Sequence, residues 1–160
     1  MELSRQADYA VRAMVDIASV PPGQRVLTGE IAKRQSIPES FLPRIIAALG
    51  KAGLVHAFRG KDGGVVLARP ATDISVLDVI EAIEGPICLN RCTYQPTRCD
   101  RSSFCRVHPI WRQVQDYLNQ MLGGTKLADL AENTPETAAR LSENRQGTVV
   151  KLFTTSGGVE

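Results

Sequence analysis

The stretch Leu27–Leu67, LTGEIAKRQSIPESFLPRIIAALGKAGLVHAFRGKDGGVVL, decides the fold. Thr28, Gly29 and Glu30 start a short helix over Glu30–Arg34, in which Ile31 and Ala32 can face inward. Gln35-Ser36-Ile37-Pro38 breaks it, because the residue before a proline is pushed out of the helical region. A second helix then runs to about Ala52, burying Leu42, Ile45, Ile46 and Leu49, with Gly53 as its C-terminal stop. Two short helices across a turn of three to four residues make a helix-turn-helix. Phe58 comes next, followed by a turn rich in glycine and charge and then by Val65-Val66-Leu67. That pattern is a β-hairpin with Lys61 and Asp62 at its tip. A hairpin directly after the second helix turns the unit into a winged helix. The second helix is then expected in the major groove of DNA, with Arg59 and Lys61 of the wing reaching phosphates or the minor groove. The residues expected to face DNA are Thr28, Ser40, Phe41, Arg44, Arg59, Gly60 and Lys61. The competing readings are a plain helical hairpin and a winged helix that binds protein.

The start of the second helix has two solutions. Ser36-x-x-Glu39 has the form of a capping box, but that start would leave Pro43 inside the helix. A start nearer Ser40 places Pro43 in the first turn, where its missing N–H costs nothing.

Upstream, Ala7, Ala10, Val11, Met14, Ile17 and Ala18 recur at helical spacing over Arg5–Ser19, with Arg5, Arg12 and Asp16 off that stripe. Pro21-Pro22-Gly23 ends this helix. Downstream, Ile74, Leu77, Ile80 and Ile83 mark a helix over Ile74–Glu84, capped by Asp73 or Ser75 and stopped by Gly85-Pro86. Pro109 suits the first turn of a longer helix, whose Ile110, Trp111, Val114, Tyr117, Leu118, Met121 and Leu122 form one wide apolar stripe. Such a stripe outside the DNA-binding unit is a natural two-fold dimer seam; packing within the chain is the alternative. Thr125 is expected to cap a last turn over Lys126–Ala131, and the remainder has helical promise only around Glu136–Leu141. The expected organisation is a DNA-binding domain over 1–70, a connecting helix, cysteine loop and dimerisation helix over 71–131, and a partly disordered extension over 132–160. The fold class is mainly α: a winged helix-turn-helix with a small β-hairpin wing and a long C-terminal dimerisation helix.

Charge divides along the same line. Residues 1–69 hold ten Lys/Arg against six Asp/Glu, a net +4, whereas residues 70–160 hold nine against eleven, a net −2. A basic head on an acidic body fits nucleic-acid binding, although +4 is also within ordinary surface variation. Asp8 and Asp16 exclude a signal peptide at the N-terminus, and no apolar run approaches the roughly 18 residues of a membrane span. A cytoplasmic protein is expected, and there clustered cysteines more often bind metal than form disulfides.

All four cysteines, Cys88, Cys92, Cys99 and Cys105, lie in ICLNRCTYQPTRCDRSSFCRVHPIW, Ile87–Trp111, and His108 closes the set. Between Cys92 and Cys105 only Phe104 could contribute to a core, so apolar burial cannot offset an ordering cost of roughly 1–2 kcal/mol per residue. Cys-x6-Cys-x5-Cys-x2-His points to a metal or a cluster. Thiolates are soft ligands for zinc, copper(I) or iron–sulphur clusters. Arg91, Arg98, Arg101 and Arg106, opposed only by Asp100, favour the thiolate form and offset the charge of a ligated cluster. Structural zinc sites usually carry paired Cys-x2-Cys knuckles, unlike the gaps here; zinc, or no metal, is the competing reading. Cys88 lies in the apolar run Pro86–Leu89 and is expected to be a small buried hydrophobe, not a ligand. An electron-transfer protein is the rival from another class, and the helix-turn-helix argues against it.

LSRQADYAVRAM from Leu3, the helix-turn-helix ending in KAGLV, the wing RGKDGGVVL, ISVLDVIEAIEG and the spaced cysteines together resemble the Rrf-type winged-helix regulators. This bacterial family includes the IscR, NsrR and RirA iron–sulphur sensors, and the resemblance covers roughly residues 1–131. It implies a non-enzymatic, homodimeric transcription regulator, a repressor, that binds an operator in double-stranded DNA. Its iron–sulphur cluster would report iron, cluster supply, nitric oxide or redox state. Cys92, Cys99 and Cys105 match the family's three cluster cysteines. For the fourth ligand, His108 resembles the IscR pattern, which implies a 2Fe–2S cluster within one subunit. Asp8 resembles the NsrR pattern, which implies a 4Fe–4S cluster completed from the partner subunit's first helix. The six-residue first gap departs from IscR, so Asp8 and 4Fe–4S are favoured. Pro43 also stands where the IscR branch carries an acidic base-reading side chain, so a different operator is expected.

Overall fold

Ser4 opens helix α1 (Arg5–Ala18) by accepting the Ala7 N–H on its hydroxyl at 3.2 Å. The computed structural model describes residues 2–60, 63–95, 99–101 and 103–132. Ala7, Ala10, Ala13, Met14 and Ile17 are buried along α1, which packs against α2 (Thr28–Gln35), α4 (Val76–Glu84) and α7 (Leu127–Ala131). Asp16, expected off the apolar stripe, is buried as well. Arg34 donates to it from Nε at 2.9 Å and Nη2 at 2.7 Å, and the Gln35 amide donates at 3.1 Å. A carboxylate can be buried here because charge-assisted, two-pronged donors replace its water. The same hydrogen bond to Asp16 raises the Arg34 pKa above its ordinary value.

The Ser36-x-x-Glu39 capping box does not form. Ser36 instead takes a left-handed conformation (φ 52°) and closes the C-terminus of α2. A single 3-10 turn over Glu39–Phe41 leads into α3 (Leu42–Lys51), which has Pro43 in its first turn, so the later of the two starts is the observed one. Leu42, Ile45, Ile46 and Leu49 face the core, as their spacing predicts. Gly53, at φ +70°, turns the chain beyond the C-terminus of α3.

Strands β1 (Val55–Phe58) and β2 (Gly64–Leu67) pair antiparallel, from Val55 opposite Leu67 to Phe58 opposite Gly64. Val26 adds one bridge to Val65, joining the segment before α2 to the wing. Gly63 is required at the turn, because a Cβ there would lie 2.6 Å from the Phe58 carbonyl oxygen. Lys61 and Asp62, the expected tip, lie outside the described residues.

Ser75 caps α4 in a reciprocal box with Asp78. Its buried face is Val76, Val79 and Ile80, preceded by Ile74, whereas Leu77 and Ile83 are half-buried. The expected spacing-three stripe is therefore rotated to the i, i+3, i+4 pattern that a 3.6-residue period requires. After the short helix α5 (Arg91–Tyr94), α6 (His108–Gly124) starts with Pro109 in its first turn. Thr125 ends α6, its hydroxyl donating to Met121 O at 2.9 Å, and α7 is instead preceded by Lys126, whose N–H donates to Asp129 at 3.0 Å. Leu127, wholly buried, returns the chain to α1. The expected turn at Glu136–Leu141 lies outside the described residues, and no helix among them is long and apolar enough to cross a membrane.

Candidate nucleic-acid interface and metal centre

The core residues of α3 fix its opposite face toward solvent. Ser40, Phe41, Pro43, Arg44 and Ala47 are exposed there. Phe41 is 37% exposed and held from behind: the Tyr9 ring meets it edge-on at 5.2 Å, and the Arg12 guanidinium lies 5.0 Å over Tyr9. Arg12 also donates to the Gln35 carbonyl at 2.7 Å, tying α1 to the turn between α2 and α3. Thr28 stands exposed at the start of α2; Arg59 and Gly60 stand exposed at the end of β1. Gly60 has φ +99° and open space around it, so its backbone is accessible. Of the seven expected DNA-facing residues, six lie exposed on the winged helix and Lys61 lies outside the described residues.

Two contributors were not anticipated from sequence. Arg25 stacks over Phe58 at 4.0 Å, at the turn end of β1. Tyr9 props Phe41. Arg25 belongs to no motif, and Tyr9 falls between the stripe and the polar face of α1; neither position carried a local signal.

The cysteine region is built differently. Cys92 on α5, Cys99 and Cys105 are half-buried free thiols. Cys88 is half-buried too, and its thiol donates to the Asn90 carbonyl at 2.9 Å, so it is less buried than its apolar run suggests. Gln115, buried on α6, anchors the start of the loop. Its amide donates to Ile87 O at 2.9 Å, and its oxygen accepts the Leu89 N–H at 2.9 Å and the Thr93 hydroxyl at 3.3 Å.

His108, the first residue of α6, has a buried Nδ1 with no hydrogen-bond partner among the described residues. A buried polar atom left unpaired is costly, and a metal or cluster would satisfy it. Asp8 lies exposed in the first turn of α1 and pairs with Arg12 at 3.2 Å. Among the described residues no three His, Cys, Asp or Glu side chains converge as a metal group. Three soft thiol donors and an orphaned imidazole nitrogen fit an iron–sulphur centre in chemistry.

A helix-turn-helix with a hairpin wing and an exposed recognition face defines the winged-helix class of fold. The chain belongs to the Rrf2 family: the family model, described as an iron-dependent transcriptional regulator, matches residues 3–133. It is 34% identical to the HTH-type transcriptional regulator IscR of Escherichia coli over 133 residues, 83% of this chain and 82% of that one. Among solved structures, T. potens IscR superposes with a TM-score of 0.67 at 32% identity, covering 85% of this chain and 90% of that one. CymR, the global cysteine regulator of B. subtilis, superposes with a TM-score of 0.68 at 26% identity, covering 84% and 98%. The fold is thus shared by differently named regulators, one of them a cysteine regulator, and the signal must be argued from the cysteine loop.

Proposed function

We propose that this chain is a cytoplasmic, homodimeric repressor that senses iron, cluster supply, nitric oxide or redox state through an iron–sulphur cluster. The observation that carries the sensing is the chemistry of the donors along residues 92–108: three free, half-buried thiols and, on His108, a buried imidazole nitrogen without a partner among the described residues. Cys92, Cys99 and Cys105 would hold the cluster, with His108 or the partner subunit's Asp8 as the fourth ligand. The orphaned Nδ1 favours His108, whereas the Asp8 carboxylate already has Arg12. That shifts the balance from 4Fe–4S toward 2Fe–2S within one subunit. When bound, such a cluster supplies an oxidant- and nitric-oxide-labile cross-link between thiolates.

The chain's own residues would convert that link into a DNA response. Gln115 fastens residues 87–93 to α6, so the thiols pull on that helix and not on free chain. Ile110, Trp111 and Val114 expose an apolar face on α6, which supports a dimer seam there. A seam at α6 would set the spacing of the two α3 helices, which must be about 34–36 Å to read successive major grooves. Ser40, Phe41, Arg44, Arg59, Gly60, Lys61 and Thr28 would face the operator. Arg44, Arg59 and Lys61 mainly bind phosphate, so affinity falls steeply with salt.

A second reading, a winged-helix regulator with structural zinc or no metal, is supported by the likeness to CymR, a regulator named for cysteine, over 84% of this chain. Purification without oxygen separates the two. Brown protein containing iron and sulphide supports the sensor, and colourless protein, with or without zinc, supports the second reading. His108→Ala is expected to lower iron content more than Asp8→Ala, and the reverse order would return the ligand to Asp8.

A further inference from the structure

Half of the exposed side chains at the start of the recognition segment cannot read base edges by hydrogen bonding. Residues near the N-terminus of such a helix reach the bases. Here the exposed side chains of that part are Glu39, Ser40, Phe41, Pro43, Arg44 and, one turn on, Ala47. Phe41, Pro43 and Ala47 offer only carbon, and Pro43 has no N–H either. Pro43 and Ala47 stand one turn apart on a single face of α3. Phe41 is not folded away onto the core: the edge-on Tyr9 ring at 5.2 Å, itself under Arg12, holds it at the surface. A carbon surface pressed on a guanine, cytosine or adenine edge leaves donors or acceptors unpaired. Thymine alone presents a methyl group to the major groove.

We infer that the apolar strip of Pro43 and Ala47, together with Phe41 on the neighbouring side of the segment, reads thymine methyl groups, so that the operator is selected for T·A pairs beneath α3. This rests on the assignment of α3 to the major groove. The test is a selection of binding duplexes from a random library by the full chain, at fixed salt. Each thymine of the enriched sequence is then replaced singly by uracil, which removes only the methyl. At one or more thymines, uracil is expected to weaken binding about fourfold, the worth of one buried methyl. Phe41→Ala is expected to shrink that thymine–uracil difference, while Arg44→Ala leaves the difference intact and lowers affinity for both duplexes. If every uracil duplex binds within twofold of its parent, the methyl-reading strip is wrong though DNA binding stands. If no sequence is enriched, the groove assignment itself fails and takes the strip with it. The uracil comparison needs no altered protein, so it decides the matter even if Phe41→Ala misfolds.

Discussion

The winged helix and the cysteine loop are held together by different physics. In the first, Met14, Ile31, Leu42, Ile45, Leu49, Leu54 and Val65 are essentially inaccessible and drawn from α1, α2, α3 and the wing. In the second, no described residue between Glu81 and Val114 is buried, and Tyr94 and Phe104 are 56% and 68% exposed. One region is fixed by apolar burial, the other, among the described residues, by the hydrogen bonds of the Gln115 amide. The proposed sensing role would use this division: the head would stay folded while the loop changes state, because low local stability is what a switching element requires. Four substitutions probe the comparison.

The largest effect is expected in the head. Leu49→Ala removes a wholly buried side chain between α3 and its neighbours and is expected to cost about 2–5 kcal/mol. Urea unfolding should show a lower midpoint, with DNA binding lost in proportion to the unfolded fraction. A cost below about 1 kcal/mol would mean that the head is less tightly packed than its exposures indicate.

Next comes Asp16→Ala. It leaves the Gln35 amide without that acceptor and the Arg34 guanidinium with Glu30 at 3.6 Å, an expected cost of about 1–3 kcal/mol. The lower part of that range applies, because the Arg34 side chain is 46% exposed and water can replace the lost partner. Since the pair joins α1 to α2, the variant should also bind DNA more weakly than its stability loss explains.

These two substitutions also mark what the sequence disclosed. The four apolar positions of α3 are legible because burial there follows a 3.6-residue period with nothing competing. The wing is legible because glycine and β-branched residues have few alternatives. The Rrf-type resemblance, carried by the head and the spaced cysteines, agrees with the family match. Asp16 was misplaced because a charged residue beside an apolar stripe reads as surface unless its partner, 18 residues away, is known. Ser36 was ambiguous for a related reason: a serine serves either as an N-cap or as a left-handed closing residue, and the flanking chain decides. The exposure of Ile110, Trp111 and Val114 was foreseeable only as an apolar excess, since periodicity does not say what covers a stripe.

A smaller effect is expected at the joint between the two regions, from Asp78→Asn at the start of α4. Burial pushes the Asp78 pKa up, but the Ser75 N–H and hydroxyl, with Arg69 and Lys126, outweigh it and hold the pKa below its ordinary value. A carboxylate with a depressed folded pKa stabilises above its unfolded value, about 3.9, and loses that stabilisation as pH falls through the folded value. The asparagine variant should therefore be less stable by about 0.5–1 kcal/mol near neutral pH, a capping-scale loss. The gap should close in stronger acid. A gap unchanged by acid would remove the ionised cap from the account.

The smallest effect is expected from Cys92→Ala in metal-free protein. Cys92 is half-buried on a four-residue helix, away from the wholly buried residues of the head. Without a bound centre its thiol offers only modest burial, so the change in unfolding free energy should stay within about 0.5 kcal/mol. The same substitution should abolish iron loading, because it removes one of the thiolates proposed to hold the centre, and with it the stabilisation that a ligand of the folded state gives by mass action. The sign of the contrast matters more than its size. A large loss in the metal-free protein would make the loop part of the same cooperative unit as α1–α3. The loop could then not change state without unfolding the head, and the division of labour between reading and sensing would fail.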